Sequence, residues 1–354
     1  MPDSKSGHFV SAVMNQYGNL KAAFEHAIRV AMHETHVRSR KAPEEPDYVA
    51  MLTLESAPYI AAALRYAIAH LNYAAAVSSV YCHQSPIVRH DENGQDQVCE
   101  LGDILFVHFH TGPDCSVLRR NALLLQAKTL SRDSLALTGR DRAQFELYRF
   151  WPTFRYERSG PRLNGQQRDV RPKNWHPGAQ YLLINDSRIS GLSGSLGIPG
   201  SWCMAVWPPT SRLYARDSFA DILVRFLVGA NGRPFTGLGE DATDGWSQLV
   251  WDLIERAETF LFNRRNIGVE HQTRAGGDHV GPLNYVLSEG IIPAFSDDPA
   301  RIANRIRTQI SRLANDGEDE PPTGDAEPDE GDEDGGVSVV LIETREAESD
   351  DEVG

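Results

Sequence analysis

Apolar positions along the chain fall into blocks with two distinct periods. In residues 19–40, Ala22, Phe24, Ala27, Ile28, Ala31 and Met32 recur at near-helical spacing, which predicts an amphipathic helix. KAPEEPD breaks it, and residues 54–77 predict a second, more apolar helix interrupted near Pro58. SSVYCHQSPIVRH, the polar turn DENGQDQ and VCELGDILFVHFH then read as a hairpin, rich in the β-branched and aromatic residues that strands favour. The segment NALLLQAK is almost wholly apolar, as expected for a central strand buried on both faces. A helix over 141–150 and a strand over 178–185 follow, separated by an Arg-, Gly- and Pro-rich loop. The predicted order is helix, three strands, helix, strand.

Beyond Gly200, SWCMAVWPP precedes helical patterns at 217–229, 245–262 and 298–314. Trp246, Trp251 and Phe260 lie at helical spacing and read as core. Residues 316–336 have the composition of a disordered linker, and VSVVLIET (337–344) is an isolated strand pattern that would dock on a sheet edge or on a partner. Four segments result: a helical 1–44, an α/β core at 45–190, a mainly helical 191–315 and an acidic tail at 316–354.

Charge sharpens this division. The net charge of −14 is concentrated at the end: from Asp316 onward there are 17 acidic residues and one arginine, leaving 32 acidic and 34 basic residues before it. The body is therefore near neutral, compatible with an anionic substrate, while the tail is either solvated, or covers a basic cleft or recruits a basic partner. No apolar run reaches the ~20 residues that span a bilayer, and no secretory pattern opens the chain, so a cytoplasmic protein without membrane contact is expected. Four cysteines at this length do not make a disulfide scaffold.

Candidate chemistry centres on three polar groups at apolar strands. Asp103 sits where ELGDILFVHF turns apolar, and Gln126 and Lys128 lie two apart on NALLLQAK, hence on one strand face. A lysine there needs an anion to offset its burial. If the two strands pair, the three groups converge at one end of the sheet. Glu100-Leu-Gly-Asp103, a 22-residue spacer and Gln126-Ala-Lys128 resemble the D…(E/Q)xK signature of PD-(D/E)XK nucleases, in the Gln variant of Mrr-type restriction endonucleases. The resemblance implies a restriction-endonuclease-like core over roughly residues 54–186. It implies Mg²⁺ (or Mn²⁺) held by Asp103, Gln126 and the Ala127 carbonyl, with Lys128 activating water or stabilising the transition state. It also implies nucleic acid, chiefly DNA, as substrate and a role in restriction or anti-phage defence; the alternatives are a catalytically silent nucleic-acid-binding or scaffold protein that keeps the fold, and an effector active only with a partner protein or in a homo-oligomer. A further acid is expected from Glu55, Glu34 or Glu100.

Other signals are weaker. Cys82, His83, His90, Cys99, His108, His110 and Cys115 crowd together without the paired spacing of structural zinc sites, and read as core. GLSGSLG lacks the strand–turn–helix setting of a nucleophile elbow, and no Walker A or GxGxxG pattern occurs. Arginines 149, 155, 158, 162, 168 and 171 flank Phe150, Trp151, Phe154 and Tyr156, a pattern that suits either nucleic-acid contact or a core cluster with a solvated loop.

Overall fold

A computed structural model of the chain describes residues 4–82, 86–92, 94–114, 116–130, 134–159, 162–185, 203–206, 212–214, 217–237, 244–257 and 336–346, together with short pieces at 265–267, 272–273, 279–280 and 285–287. The fold is mixed α/β. Helices α1 (Ser4–Asn15), α2 (Tyr17–Arg38), α3 (Glu45–Leu54) and α4 (Ser56–Ile68) come first. Strands β1 (Tyr73–Val80), β2 (Ile87–Glu92), β3 (Gln95–Glu100), β4 (Ile104–Thr111), β5 (Val117–Thr129) and β6 (Ser134–Ala136) follow. Next are α5 (Arg140–Phe150), β7 (Phe154–Arg158), β8 (Gln167–Arg168), β9 (Ala179–Ile184), β10 (Cys203–Val206), β11 (Arg212–Tyr214) and β12 (Asp217–Ser218). After α6 (Phe219–Leu227), β13 (Arg233–Pro234) and α7 (Gly245–Ala257), short strands β14 (Gln272–Thr273), β15 (His279–Val280) and β16 (Tyr285–Leu287) precede β17 (Ser338–Glu346).

The main sheet runs β12-β10-β9-β5-β4-β17-β1-β16, with β13 also pairing β5; β3-β2-β7-β8 form a second sheet. Period-2 alternation divides the main sheet between two cores. Leu123, Leu125, Ala127, Phe106, Val340 and Ile342 pack with α1–α4 and α6. Leu124, Leu105, Val107, Leu341 and Leu183 pack on the other face with residues of α5, α7 and the second sheet. The predicted segment boundaries cut across these cores: the first contains Phe24, Ile60, Phe226 and Ile342, one from each segment.

Several expectations change. The predicted second helix is α4, which runs through Pro58 in its first turn and stops at Ile68; residues 73–77 belong to β1. Alanines at 74–76 fit either state, and sheet neighbours decide. The hairpin turn is real, with Gly94 at φ +81°, but the strand predicted after it breaks at Gly102-Asp103. Its halves, β3 and β4, enter different sheets, so no simple three-stranded meander forms. Helices α1 and α3 were not anticipated; α3 starts inside the KAPEEPD break, where the Asp47 carboxylate accepts the Glu44 N–H at 2.9 Å. The isolated strand VSVVLIET docks neither on an edge nor on a partner. It becomes β17, parallel to β4 (Ser338 opposite Ile104) and antiparallel to β1 (Val340 opposite Ser79). Residues 298–314, 316–335 and Phe260 lie outside the described residues. Among the described residues no helix is long and apolar enough to cross a membrane.

Candidate functional site

Asp103 lies in the turn between β3 and β4 and is fixed from three sides. Its N–H donates to Leu125 O at 2.8 Å, its carbonyl accepts the Ser338 N–H at 2.9 Å, and its Oδ2 accepts the Ala127 N–H at 2.7 Å. The turn needs glycine at 102: a Cβ there would stand 2.7 Å from Leu124 Cδ1 and 3.1 Å from the Tyr148 hydroxyl. Because β4 and β5 pair antiparallel, with Ile104 opposite Leu125, Asp103 arrives beside the 126–128 segment. The expected convergence of Asp103, Gln126 and Lys128 at one sheet end is thus present.

The partners of each group differ from simple expectation. Lys128 Nζ lies 3.0 Å from Asp141 Oδ1 at the start of α5 and 3.7 Å from Glu45 Oε1 at the start of α3. Glu45 is itself anchored, its Oε2 accepting the Thr129 N–H at 2.8 Å. Gln126 is buried, and its Oε1 accepts from Gln144 Nε2. That nitrogen also donates to the Glu100 carbonyl at 2.9 Å. A carbonyl can only accept, so the Gln144 amide orientation follows, and with it the Gln126 oxygen as the facing atom. Gln126 Nε2 then turns toward Ala127 O at 3.5 Å.

Helix α5 frames the site with one stripe. Asp141 holds Lys128, Gln144 staples Gln126 to the Asp103 turn, and the Tyr148 hydroxyl donates to Leu101 O at 2.7 Å. Their spacing of three and four residues puts them on one face. That polar stripe on an otherwise apolar-facing helix was the available signal for these residues. Glu45 offered none beyond its place beside Pro46, at a helix start hidden in an apparent break.

The alternative acids are separated from this cluster or play other parts. Glu55, at the far end of α3, pairs with Arg38 at 2.7 Å, and Arg38 also pairs with Glu34 at 3.0 Å. Both therefore belong to an ion-pair group on the helical layer, and the helix-borne acid beside Lys128 is Glu45. The Glu100 side chain is exposed at the end of β3, and its charge acts on both Asp103 and Glu45.

Electrostatically the cluster carries surplus negative charge. Burial, then the charges of Glu100 and Glu45, push the Asp103 carboxyl well above the usual range, against the Ala127 N–H and Lys128. Glu45 is also raised, by burial first, with Asp141 and Glu100 adding to it. Burial works against the Lys128 ammonium, but Glu45 and Asp141 outweigh it and hold it above its ordinary value. Four carboxylates around one lysine would be relieved by a further cation. Among the described residues, no three His, Cys, Asp or Glu side chains are arranged to hold a metal by themselves. A hard divalent cation would have to combine carboxylate with amide and backbone oxygens, which it accepts readily while keeping several waters.

The remaining candidates resolve into structure. Trp151, Phe154 and Tyr156 are core residues, and Arg168 pairs with Asp252 at 2.6 Å, Arg155 with Glu157 at 3.0 Å and Arg171 with Asp169 at 2.9 Å. Phe150 alone of that aromatic set is exposed. A groove of about 490 Å³ lined by Arg89, Asp91, Asp96 and Arg155 opens on the second sheet, away from the Asp103 cluster, and carries both charge signs. No known family model, curated protein or solved structure matches the chain.

Proposed function

We propose that the protein is a metal-dependent nuclease with a restriction-endonuclease-like core, hydrolysing phosphodiester bonds, chiefly of DNA. The observation that carries this reading is the meeting of Asp103, Gln126 and Lys128 at one sheet end, with Glu45 beside them. Such a set answers the needs of phosphodiester hydrolysis: oxygen ligands for a cation, and a fixed ammonium against the charge of the transition state. Asp103, Glu45 and the oxygens of Gln126 and Ala127 would hold Mg²⁺ or Mn²⁺. The bound cation would polarise the phosphate and lower the pKa of a coordinated water. Lys128 is kept charged by its two carboxylate partners, ready to exchange Asp141 for a phosphate oxygen.

A second reading is supported by the same contacts. Lys128 is occupied by Asp141 and Glu45, and Gln126 by Gln144, which favours an effector that needs a partner or an oligomeric assembly to rearrange the site. Restriction or antiviral defence would suit either version. The test is nicking of supercoiled plasmid by the purified full chain in Mg²⁺ or Mn²⁺, with chelator as control. Nicking lost in Asp103→Ala and Lys128→Ala is the expected result. Cleavage that persists in both variants sinks the assignment, and wild type inert on DNA and RNA alike sinks autonomous activity.

A further inference from the structure

The two ends of β17 are held by different chemistry. At its start, Ser338 N–H donates to the Asp103 carbonyl at 2.9 Å, its Oγ donates to Cys82 O at 2.8 Å, and the Cys82 N–H donates to that Oγ at 3.1 Å. Cys82 is buried, its Sγ 4.0 Å from Ala257 O of α7 and next to Gly336, where an added Cβ would lie 3.4 Å away. Toward its end, the Thr344 hydroxyl lies 2.9 Å from His108 Nε2 and 2.9 Å from His110 Nδ1. Both imidazoles belong to β4 and are fully buried. Phe9 of α1 stacks on His110 with ring centres 4.1 Å apart, Tyr73 of β1 lies 6.1 Å from it, and Phe226 of α6 lies 6.2 Å from His108.

A hydroxyl has one proton and accepts through its lone pairs. Thr344 can therefore satisfy one bare imidazole nitrogen and one N–H, an arrangement of neutral rings. The outward nitrogens, His108 Nδ1 and His110 Nε2, have no hydrogen-bond partner among the described residues. A proton added there would be buried without an acceptor, a costly state. Arg119 of β5 acts on both rings and repels a second positive charge, while the Thr344 backbone acts the other way on His110.

We propose that β17 is an acid-sensitive strand: neutral His108 and His110 keep it docked through Thr344, and their protonation releases it from β4, uncovering Cys82 and freeing the Asp103 carbonyl. Burial, followed by the neighbouring charges of His110 and Arg119, holds His108 well below its ordinary value. Burial, then Arg119, brings His110 to about 4. The undocked strand lets both rings titrate near their ordinary value, so acid favours the open form. Between pH 7.5 and 5.5, two histidines of ordinary pKa raise the open population about a hundred-fold. What this does to cleavage rests on the nuclease reading above, whereas release of the strand does not.

The experiment labels the intact chain with a pyridyl disulfide at pH 7.5 and 5.5. Rates are normalised to a free thiol at each pH, and sites are assigned by peptide mass spectrometry. Cys82 should react faster at pH 5.5, by on the order of a hundred-fold, while Cys99, buried on β3 away from β17, stays protected. His108→Gln combined with His110→Asn keeps a non-titrating hydrogen-bonding group facing Thr344, and should abolish the acid effect. Thr344→Val should raise Cys82 reactivity already at pH 7.5. Equal wild-type rates at the two pH values would overturn the proposal. So would an acid effect surviving in the double variant, Cys99 reacting in step with Cys82, or Thr344→Val leaving Cys82 unchanged.

Discussion

Two polar clusters sit in the same sheet, and they differ in how their charge is settled. At the end of β5, Asp103, Gln126 and Lys128 meet Glu45, Glu100 and Asp141, and carboxylates outnumber the lysine. In the middle of β4, His108 and His110 share one threonine hydroxyl in a dry, aromatic setting. Both clusters interrupt apolar strands, so sequence marks them equally. The first sets several carboxylates against one charged lysine and stores repulsion that a further cation would relieve. The second is kept neutral and serves the packing of β17. A polar residue on a buried strand is thus not informative alone, and its chemistry follows from the charges and donors packed around it.

The largest effect should come from breaking the ionic cluster. Asp103→Ala and Lys128→Ala are each expected to lower metal-dependent nicking by about 10²–10³-fold, the scale of losing a transition-state contact. His108→Gln should leave the rate at pH 7.5 within a few-fold of wild type. A comparable loss in His108→Gln would erase the functional distinction between the clusters.

The next effect is on stability against pH, and the two clusters have opposite signs. His108 and His110, and also His176, lowered to about 3 by burial and Arg233, bind fewer protons folded than unfolded. Their contribution to stability is complete above the ordinary histidine range and falls as pH drops below about 6.5, by about 1.4 kcal/mol per pH unit for each group. Asp103 and Glu45 have raised values, so their contribution is lost as pH rises out of the ordinary carboxylate range. Urea unfolding across pH 4–8 should show histidine-driven loss on the acid side. Stability that is flat below pH 6.5 in the wild type would contradict the buried, neutral histidines.

A smaller effect follows for Asp103→Asn. The amide oxygen can still accept the Ala127 N–H, while the repelled charge is gone. The variant should be more stable than wild type at pH 7.5, and Mg²⁺ should raise the melting temperature of wild type only. Destabilisation by Asn would mean that the carboxylate is already compensated. The smallest effect belongs to Glu55→Gln, which removes a surface pair with Arg38 and should change stability by less than about 0.5 kcal/mol with no change in cleavage. Glu45→Gln should impair cleavage instead, and the reverse outcome would return Glu55 to the site.

The deletion that first suggests itself for testing the acidic tail, removal of 316–354, takes β17 with it. Among the described residues β1 reaches β4 only through that strand. Loss of residues 316–354 would therefore remove β17 together with the acidic residues, and only the 316–336 portion can be changed to ask about charge alone.

Local pattern alone determined a good deal. The 3.6-residue period placed α2, α5 and much of α4, α6 and α7, because each buries one stripe against the sheet. Spacing of two put Gln126 and Lys128 on one face, and the apolar run around them marked β5 as central. Tertiary structure decided the rest. Which acid joins Lys128 depends on where α3 ends up, and nothing local distinguishes Glu45 from Glu55. The contacts of Gln144 and Tyr148 with the Asp103 turn exist only because α5 packs across the sheet end. The strand at 338–346 has ordinary β-forming residues, and its central place comes from filling the gap between β1 and β4, more than 200 residues away in the chain. Periodicity reports which face of an element avoids water, whereas the choice of partner follows from long-range packing.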